Sequence, residues 1–263
     1  MRCSHFGCTV LFTTLLLMSA GSARAADTVE PFDIGMTDFE FYVGIDGLGT
    51  TDDKTLYGDL FLGYGLTESL SGFVGITLEG NHHFAGGAAA LSIGGYGNVL
   101  DTDYIDLDLF LTLSVGGDGF SEFSGGPAME FNVDLDKDMN SLGFYLRAGF
   151  TLSGAELAPA NPSDPDAEPR FDTTYNIDTT LGAYYMIADG HQLLLEFDML
   201  FDPDPAADVR GVDVGGIALG YNVAVHDAVE MINQVYLDIP QSGERAALNL
   251  MTGILVTLPT AAK

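Results

Sequence analysis

The sequence predicts an all-β protein, a closed antiparallel up-and-down transmembrane β-barrel of about 12 strands. Three observations lead there. From Thr37 onward apolar and polar residues alternate with a period of two, the mark of strands with one apolar face. The alternating segments are mostly longer than the roughly 5–6 residues of a soluble strand and suit the roughly 9–11 of a tilted membrane strand. No run of about 18 apolar residues is present that could cross a bilayer as a helix.

Residues 1–25 have the pattern of a cleaved secretory signal. A basic start, Met1-Arg2, leads into the apolar stretch from Val10 to Met18, broken only by Thr13 and Thr14, and then into Ala23-Arg24-Ala25. That order of basic, apolar and small residues is what signal cleavage requires. Mature protein is expected to begin at Ala26, with residues 26–35 a periplasmic tail, 36–258 the barrel and 259–263 a C-terminal tail. Cys3 and Cys8 both fall in the segment to be removed. The mature chain therefore lacks the thiols that disulfides, zinc-thiolate sites or cysteine nucleophiles need.

Strands are expected near 36–46, 54–65, 69–80, 87–99, 104–115, 126–135, 141–153, 174–187, 191–201, 211–223, 228–239 and 246–258. The fifth is the clearest: Ile105, Leu107, Leu109, Leu111 and Leu113 alternate with Asp106, Asp108, Phe110, Thr112 and Ser114. In the ninth, Leu193, Leu195, Phe197, Met199 and Phe201 oppose a face that carries Glu196 and Asp198. Glycines blur the fourth (Gly94, Gly95, Gly97) and the tenth (Gly215, Gly216, Gly220). Short turns are expected at Leu66-Thr67-Glu68, Leu100-Asp101-Thr102, Lys137-Asp138-Met139, Asp189-Gly190 and His226-Asp227. Longer loops include Gly119-Phe120-Ser121-Glu122, residues 154–173 and Asp202-Pro203-Asp204-Pro205. Short turns at one rim and long loops at the other are the arrangement of membrane barrels.

Charge removes one class of partner. Formal net charge is −29, and loss of Arg2 and Arg24 makes it more negative still, so binding to nucleic-acid phosphates is excluded. Lysine is confined to Lys54, Lys137 and Lys263, and the charged fraction is 18%, low for a surface bathed in water.

An eight-stranded barrel is just filled by its side chains, so twelve strands with an apolar inside would enclose a void. The apolar set is therefore expected to face lipid. Phe39, Tyr64, Tyr104, Tyr175, Tyr185 and Phe201 sit near strand ends on that face, where interfacial aromatic girdles form. The alternate set would then line a lumen: Asp38, Glu40, Asp59, Glu79, Asp106, Asp108, Glu130, Asp134, Asp178, Glu196, Asp198, Glu230 and Asp238, with Arg147 as its basic member. Rings of carboxylates are what cation-preferring pores use. Tyr57, Phe61, Phe73, Tyr145, Tyr184 and Tyr236 share this face and would narrow or plug the lumen.

Leu62-Gly63-Tyr64-Gly65-Leu66-Thr67-Glu68-Ser69-Leu70 and Leu219-Gly220-Tyr221-Asn222-Val223 are each a strand entering a tight turn. In these the chain resembles the bacterial outer-membrane porin superfamily of Gram-negative cells. More loosely it is similar to outer-membrane transporters associated with aromatic-compound (phenol, meta-pathway) degradation. The resemblance implies a passive pore or uptake channel. The ending Leu258-Pro259-Thr260-Ala261-Ala262-Lys263 departs from the aromatic terminus many such barrels use in assembly.

The expected function is passive transport of small solutes, cations or aromatic compounds among them, by a barrel in contact with outer-membrane lipid and lipopolysaccharide. A non-conducting structural or adhesion barrel is the alternative. A hydrolase would need a base beside a hydroxyl. His82 and His83 fall in an expected outer loop, with Ser121 and Ser124 as candidate hydroxyls, whereas His191 and His226 belong to short turns. The acidic stretch from Asp202 to Asp208 lacks the glycine and terminal glutamate of a calcium loop. Gly47-Leu48-Gly49 is too short to cradle phosphate. Neither catalytic residues nor a metal or cofactor site are assigned from the sequence.

Overall fold

The structure, a computed structural model, describes residues 36–49, 54–81, 87–102, 104–117, 121–135, 142–157, 170–201, 212–226, 228–239 and 246–259. Twelve strands are found among them: β1 (Met36–Leu48), β2 (Thr55–Thr67), β3 (Leu70–Asn81), β4 (Gly87–Asp101), β5 (Ile105–Gly116), β6 (Glu122–Asp134), β7 (Leu142–Leu157), β8 (Arg170–Ala188), β9 (His191–Phe201), β10 (Val212–His226), β11 (Val229–Asp238) and β12 (Ala247–Pro259). Each pairs antiparallel with its neighbours in sequence, and β1 closes on β12. The expected closed meander is therefore the observed fold. No helix among the described residues is long and apolar enough to cross a membrane.

Alternation fixes the faces. In β5 the odd residues Leu109, Leu111, Leu113 and Val115 are exposed, while Asp106, Asp108 and Ser114 are buried. The same inversion runs round the barrel, with Phe41, Leu62, Val74, Ile93, Phe144, Leu181, Leu195, Leu219 and Ile254 among the exposed apolar side chains. A continuous apolar exterior of this extent does not occur on a water-soluble monomer. It requires lipid, and strands of 10 to 19 residues are long enough to cross a bilayer when tilted. Five of the girdle aromatics, Phe39, Tyr64, Tyr104, Tyr175 and Tyr185, are exposed, and Phe201 is half-buried.

Two expectations on boundaries are corrected. Strand β6 starts at Glu122, not near 126, because Glu122, Phe123, Ser124 and Gly125 continue the ladder against Gly116, Val115, Ser114 and Leu113. The β7–β8 hairpin extends through the pair Leu157 and Arg170, so most of the ends of the expected 154–173 loop are strand. Turn parity holds at Glu68-Ser69 and Asp189-Gly190, where Gly190 has φ 68°, the left-handed conformation that glycine adopts without strain. The connection between Asp134 and Leu142 has more residues than that between Asn81 and Gly87, and the turn expected at Lys137-Asp138-Met139 lies outside the described residues. The glycine-blurred strands do carry irregularities: β4 shifts register between Asn98 and Leu100, and β10 between Val214 and Gly216.

Candidate functional site: the barrel interior

Twelve strands about 4.8 Å apart enclose a circle roughly 18 Å across before tilt widens it. What fills that space is set by the inward positions. Of the carboxylates expected there, Asp38, Asp59, Asp106, Asp108, Glu130, Asp134 and Glu196 are buried, and Glu40, Glu79, Asp178, Asp198, Glu230 and Asp238 are half-buried. None is on the exposed apolar face. Arg147 is buried too, the one basic side chain that is so among the described residues.

These groups form three sets along the axis. At mid-height the Arg147 guanidinium donates through Nε and Nη2 to Glu130 Oε2, with the Nε contact at 2.8 Å. It also lies 5.6 Å from the centre of the Phe110 ring, within cation–π range. Glu196 and Asp198 are within electrostatic reach of the same guanidinium. Glu196 accepts from the Tyr145 hydroxyl at 2.5 Å and from Gln234 Nε2 at 2.7 Å. Since β7, β9 and β11 are not neighbours in the sheet, these bonds cross the interior and brace the wall from inside. Asp178 and Asp198 accept from Thr151 and Thr180 at 2.8 and 2.6 Å.

Nearer the short-turn end lie Asp106, Asp134 and Asp101, close enough to interact, and Asp38, which accepts from Thr257 at 3.0 Å; Asp108, the register partner of Glu130, accepts from Asn98 at 3.1 Å. Toward the long-loop end Asp46 is within electrostatic reach of Glu79, Asp59 and Asp238. Asp46 closes the expected first strand and was not among the expected lumen residues; its even number in β1, shared with Asp38 and Glu40, is the signal that places it. Among the described residues no His, Cys, Asp or Glu cluster has metal-binding geometry.

The inward aromatic side chains lie between these carboxylates, in clusters. Tyr42, Tyr57, Phe61, Ile232, Met251 and Leu255 form one buried cluster with Phe73 against it, and Tyr96 packs with Phe73 and Phe110. A smaller group joins Tyr145, Tyr184 and Leu194. Tyr42, Tyr96 and Phe110 were not among the expected inward aromatics, although their even numbers in β1, β4 and β5 put them there. Each main ring leans onto a glycine directly opposite it on the next strand: Tyr42 on Gly253, Tyr57 on Gly44, Phe61 on Gly75, Phe73 on Gly94, Tyr145 on Gly182 and Tyr184 on Gly143. A Cβ at any of these glycines would meet ring carbons at 1.9–2.4 Å. The glycines thus let bulky rings lie close to the wall.

His82, His83 and the stretch from Asp202 to Asp208 lie outside the described residues. Ser124 is in β6 opposite Ser114 and Ser153. His191 Nδ1 bonds the Tyr221 hydroxyl at 2.6 Å near the short-turn end.

Neither a protein-family model nor a curated protein sequence matches the chain. Solved structures do. The COG4313 outer membrane channel from Pseudomonas putida F1 is similar at a TM-score of 0.62 and 12% identity, over 87% of this chain and 97% of that one. The NanC porin is similar at 0.58 and 10% identity, over 84% and 100%. The translocator domain of autotransporter NalP from Neisseria meningitidis is similar at 0.53 and 10% identity, over 93% and 96%. At such identities the likeness is one of fold, and the fold is that of the outer-membrane β-barrels.

Proposed function

We propose that the chain is an outer-membrane channel through which small solutes pass passively, with a carboxylate-lined interior that favours cations. The observation that carries this reading is the inverted polarity of the closed wall. Outside, it is apolar; inside, thirteen expected carboxylates are buried or half-buried, against one fully buried base among the described residues, Arg147, already paired with Glu130. Unbalanced negative charge attracts cations and repels anions. The likeness to porins and to an outer membrane channel supports transport as the use of the wall. One similar structure is titled as the KdgM porin in complex with oligogalacturonate, a polyanion, and an interior of this sign would exclude that kind of solute from the present chain. On this reading the chain is exported through a signal cleaved after Ala25 and sits in the outer membrane against lipid and lipopolysaccharide, as a channel and not as an enzyme.

Planar-bilayer recording tests the proposal. Purified barrel should give discrete current steps and a reversal potential on the cation side in a salt gradient. Neutralising Asp106, Asp108, Glu196 and Asp198 together should move that potential toward anions, most in dilute salt, where screening over more than about 8 Å is weakest. Equal permeability of the unmodified protein to cations and anions would end the cation reading.

A non-conducting structural barrel is the second reading. The near-complete burial of Tyr42, Asp38, Asp108, Glu130 and Asn132 favours it, and an absence of current steps from folded protein would establish it.

A further inference from the structure

We infer that the Tyr42, Tyr57 and Phe61 cluster of the interior is a binding site for organic cations, an ammonium or similar head carried on an apolar or aromatic body, with Asp59 as its anionic anchor. The inference rests on the channel reading, because the ligand enters through the lumen.

Asp59 is one of several interior carboxylates, Asp46 and Asp106 among them, with a buried oxygen that no donor reaches among the described residues. It is 2% exposed, and among the described residues no donor reaches its Oδ1. Buried carboxylate oxygens are costly unless bonded, and one left so in a native fold calls for an explanation. Its surroundings supply one. Along β2 the neighbouring inward residues are Tyr57 and Phe61, and its register partners are Tyr42 on β1 and Thr77 on β3. A carboxylate is therefore framed by three aromatic rings, with Phe73 beyond them.

The rings are arranged as walls. Tyr42 and Phe61 have centroids 6.5 Å apart at 65°, and Phe61 and Phe73 are 6.2 Å apart at 78°. These are edge-to-face contacts between neighbouring rings. An ammonium ion is attracted to ring faces within about 6 Å of the centroid, and aromatic boxes are how proteins take up alkylated ammonium groups. Ile232, Met251 and Leu255 complete the lining and suit the apolar body of such a ligand. Asp46 and Glu79, toward the long-loop end and within reach of one another and of Asp59, would draw a cation in from outside.

Elsewhere in the barrel the protein makes the same combination with its own side chain: the Arg147 cation lies between the Glu130 carboxylate and the Phe110 ring. Carboxylate plus ring thus surrounds a cationic group at one place in this wall. At Asp59 the carboxylate and rings are present, and the cation must come from the solute. A bare metal ion fits less well, since no described carboxylate cluster has the geometry to ligate one.

The test is calorimetric titration of folded barrel in detergent with benzyltrimethylammonium, alongside benzyl alcohol and benzoate as neutral and anionic counterparts. Heat-modifiable gel mobility serves as the check of folding. The cation should bind, both counterparts should not, and Asp59→Asn should weaken binding about tenfold. Phe61→Leu should weaken it as well, and it decides by the same criterion if Asp59→Asn does not fold. In bilayers the same cation should reduce the potassium current. Binding that Asp59→Asn lowers, in a barrel without current, supports the site and ends the channel reading. Current without binding, or binding matched by benzyl alcohol or unchanged in both variants, overturns the site and leaves the channel reading standing.

Discussion

Replacing Gly182 with alanine adds one methyl group and should destabilise the barrel out of proportion to that change. The new Cβ would stand 1.9 Å from Tyr145 Cζ, 2.2 Å from Cε1 and 2.4 Å from Cε2, where carbon atoms rest at about 3.5–4.0 Å. The ring must retreat by about 1.5 Å or more, and Tyr145 cannot move as a whole, because its backbone is held between Asn132 on β6 and Gly182 on β8. Rotating the ring into the lumen breaks the 2.5 Å bond from its hydroxyl to Glu196. Overpacking of this kind costs about 1–3 kcal/mol, and a hydrogen bond to a charged group about 1.5–3 kcal/mol, so the total should be about 3–5 kcal/mol. Urea unfolding in lipid vesicles, followed by tyrosine fluorescence, measures it. Tyr145→Phe should lose only the hydrogen-bond share, and Gly182→Ala added to Tyr145→Ala should cost less than the two singly. Wild-type stability for Gly182→Ala, or strict additivity in the pair, would refute the account of rings seated on glycines.

Arg147→Met should cost about 3–5 kcal/mol by leaving Glu130 buried without its counter-charge, and adding Glu130→Gln should recover part of it; the same unfolding assay checks both. Leu111→Arg, on the exposed face midway along β5, should cost about 2–4 kcal/mol, the price of a cation at the bilayer midplane. Thr112→Arg, one residue on and facing inward, should instead leave folding intact and lower cation selectivity in bilayer recordings. Intact mass of the mature product should correspond to a start at Ala26 with no thiol, and a retained Cys8 would refute the expected cleavage.

Fold and facing were legible because period-two alternation is local: Ile105 to Ser114 and Gln192 to Phe201 state their two faces within ten residues. Where the text of the sequence misleads, glycine is the reason. Ser124-Gly125 looks like loop, yet these residues extend β6, and Gly94 and Gly182 dilute an alternation whose missing side chain is supplied by a ring from the next strand. In β1, Phe39, Phe41, Tyr42 and Val43 leave the facing of Tyr42 to be settled by the parity of Asp38 and Glu40. The braces from Tyr145 and Gln234 to Glu196, and the seating of Phe110 against Arg147, were not legible at all. They join strands that are not neighbours, and such partners depend on curvature and strand stagger, which no periodicity encodes.

Pairing of β1 with β12, from Met36 with Pro259 to Leu48 with Leu248, makes the last strand of the barrel the partner of its first. Until β12 arrives, the wall is an open sheet with two bare edges, at β1 and β11, whose amide and carbonyl groups have no partners and template aggregation in water. Lipid is equally hostile to such edges. Closure therefore joins residues from opposite ends of the barrel sequence and carries the loop-closure entropy of nearly the whole chain in one step. Assembly is all-or-none at the seam: a chain shortened by β12 would keep eleven strands' worth of side chains and still have no state, in water or in membrane, that satisfies its backbone.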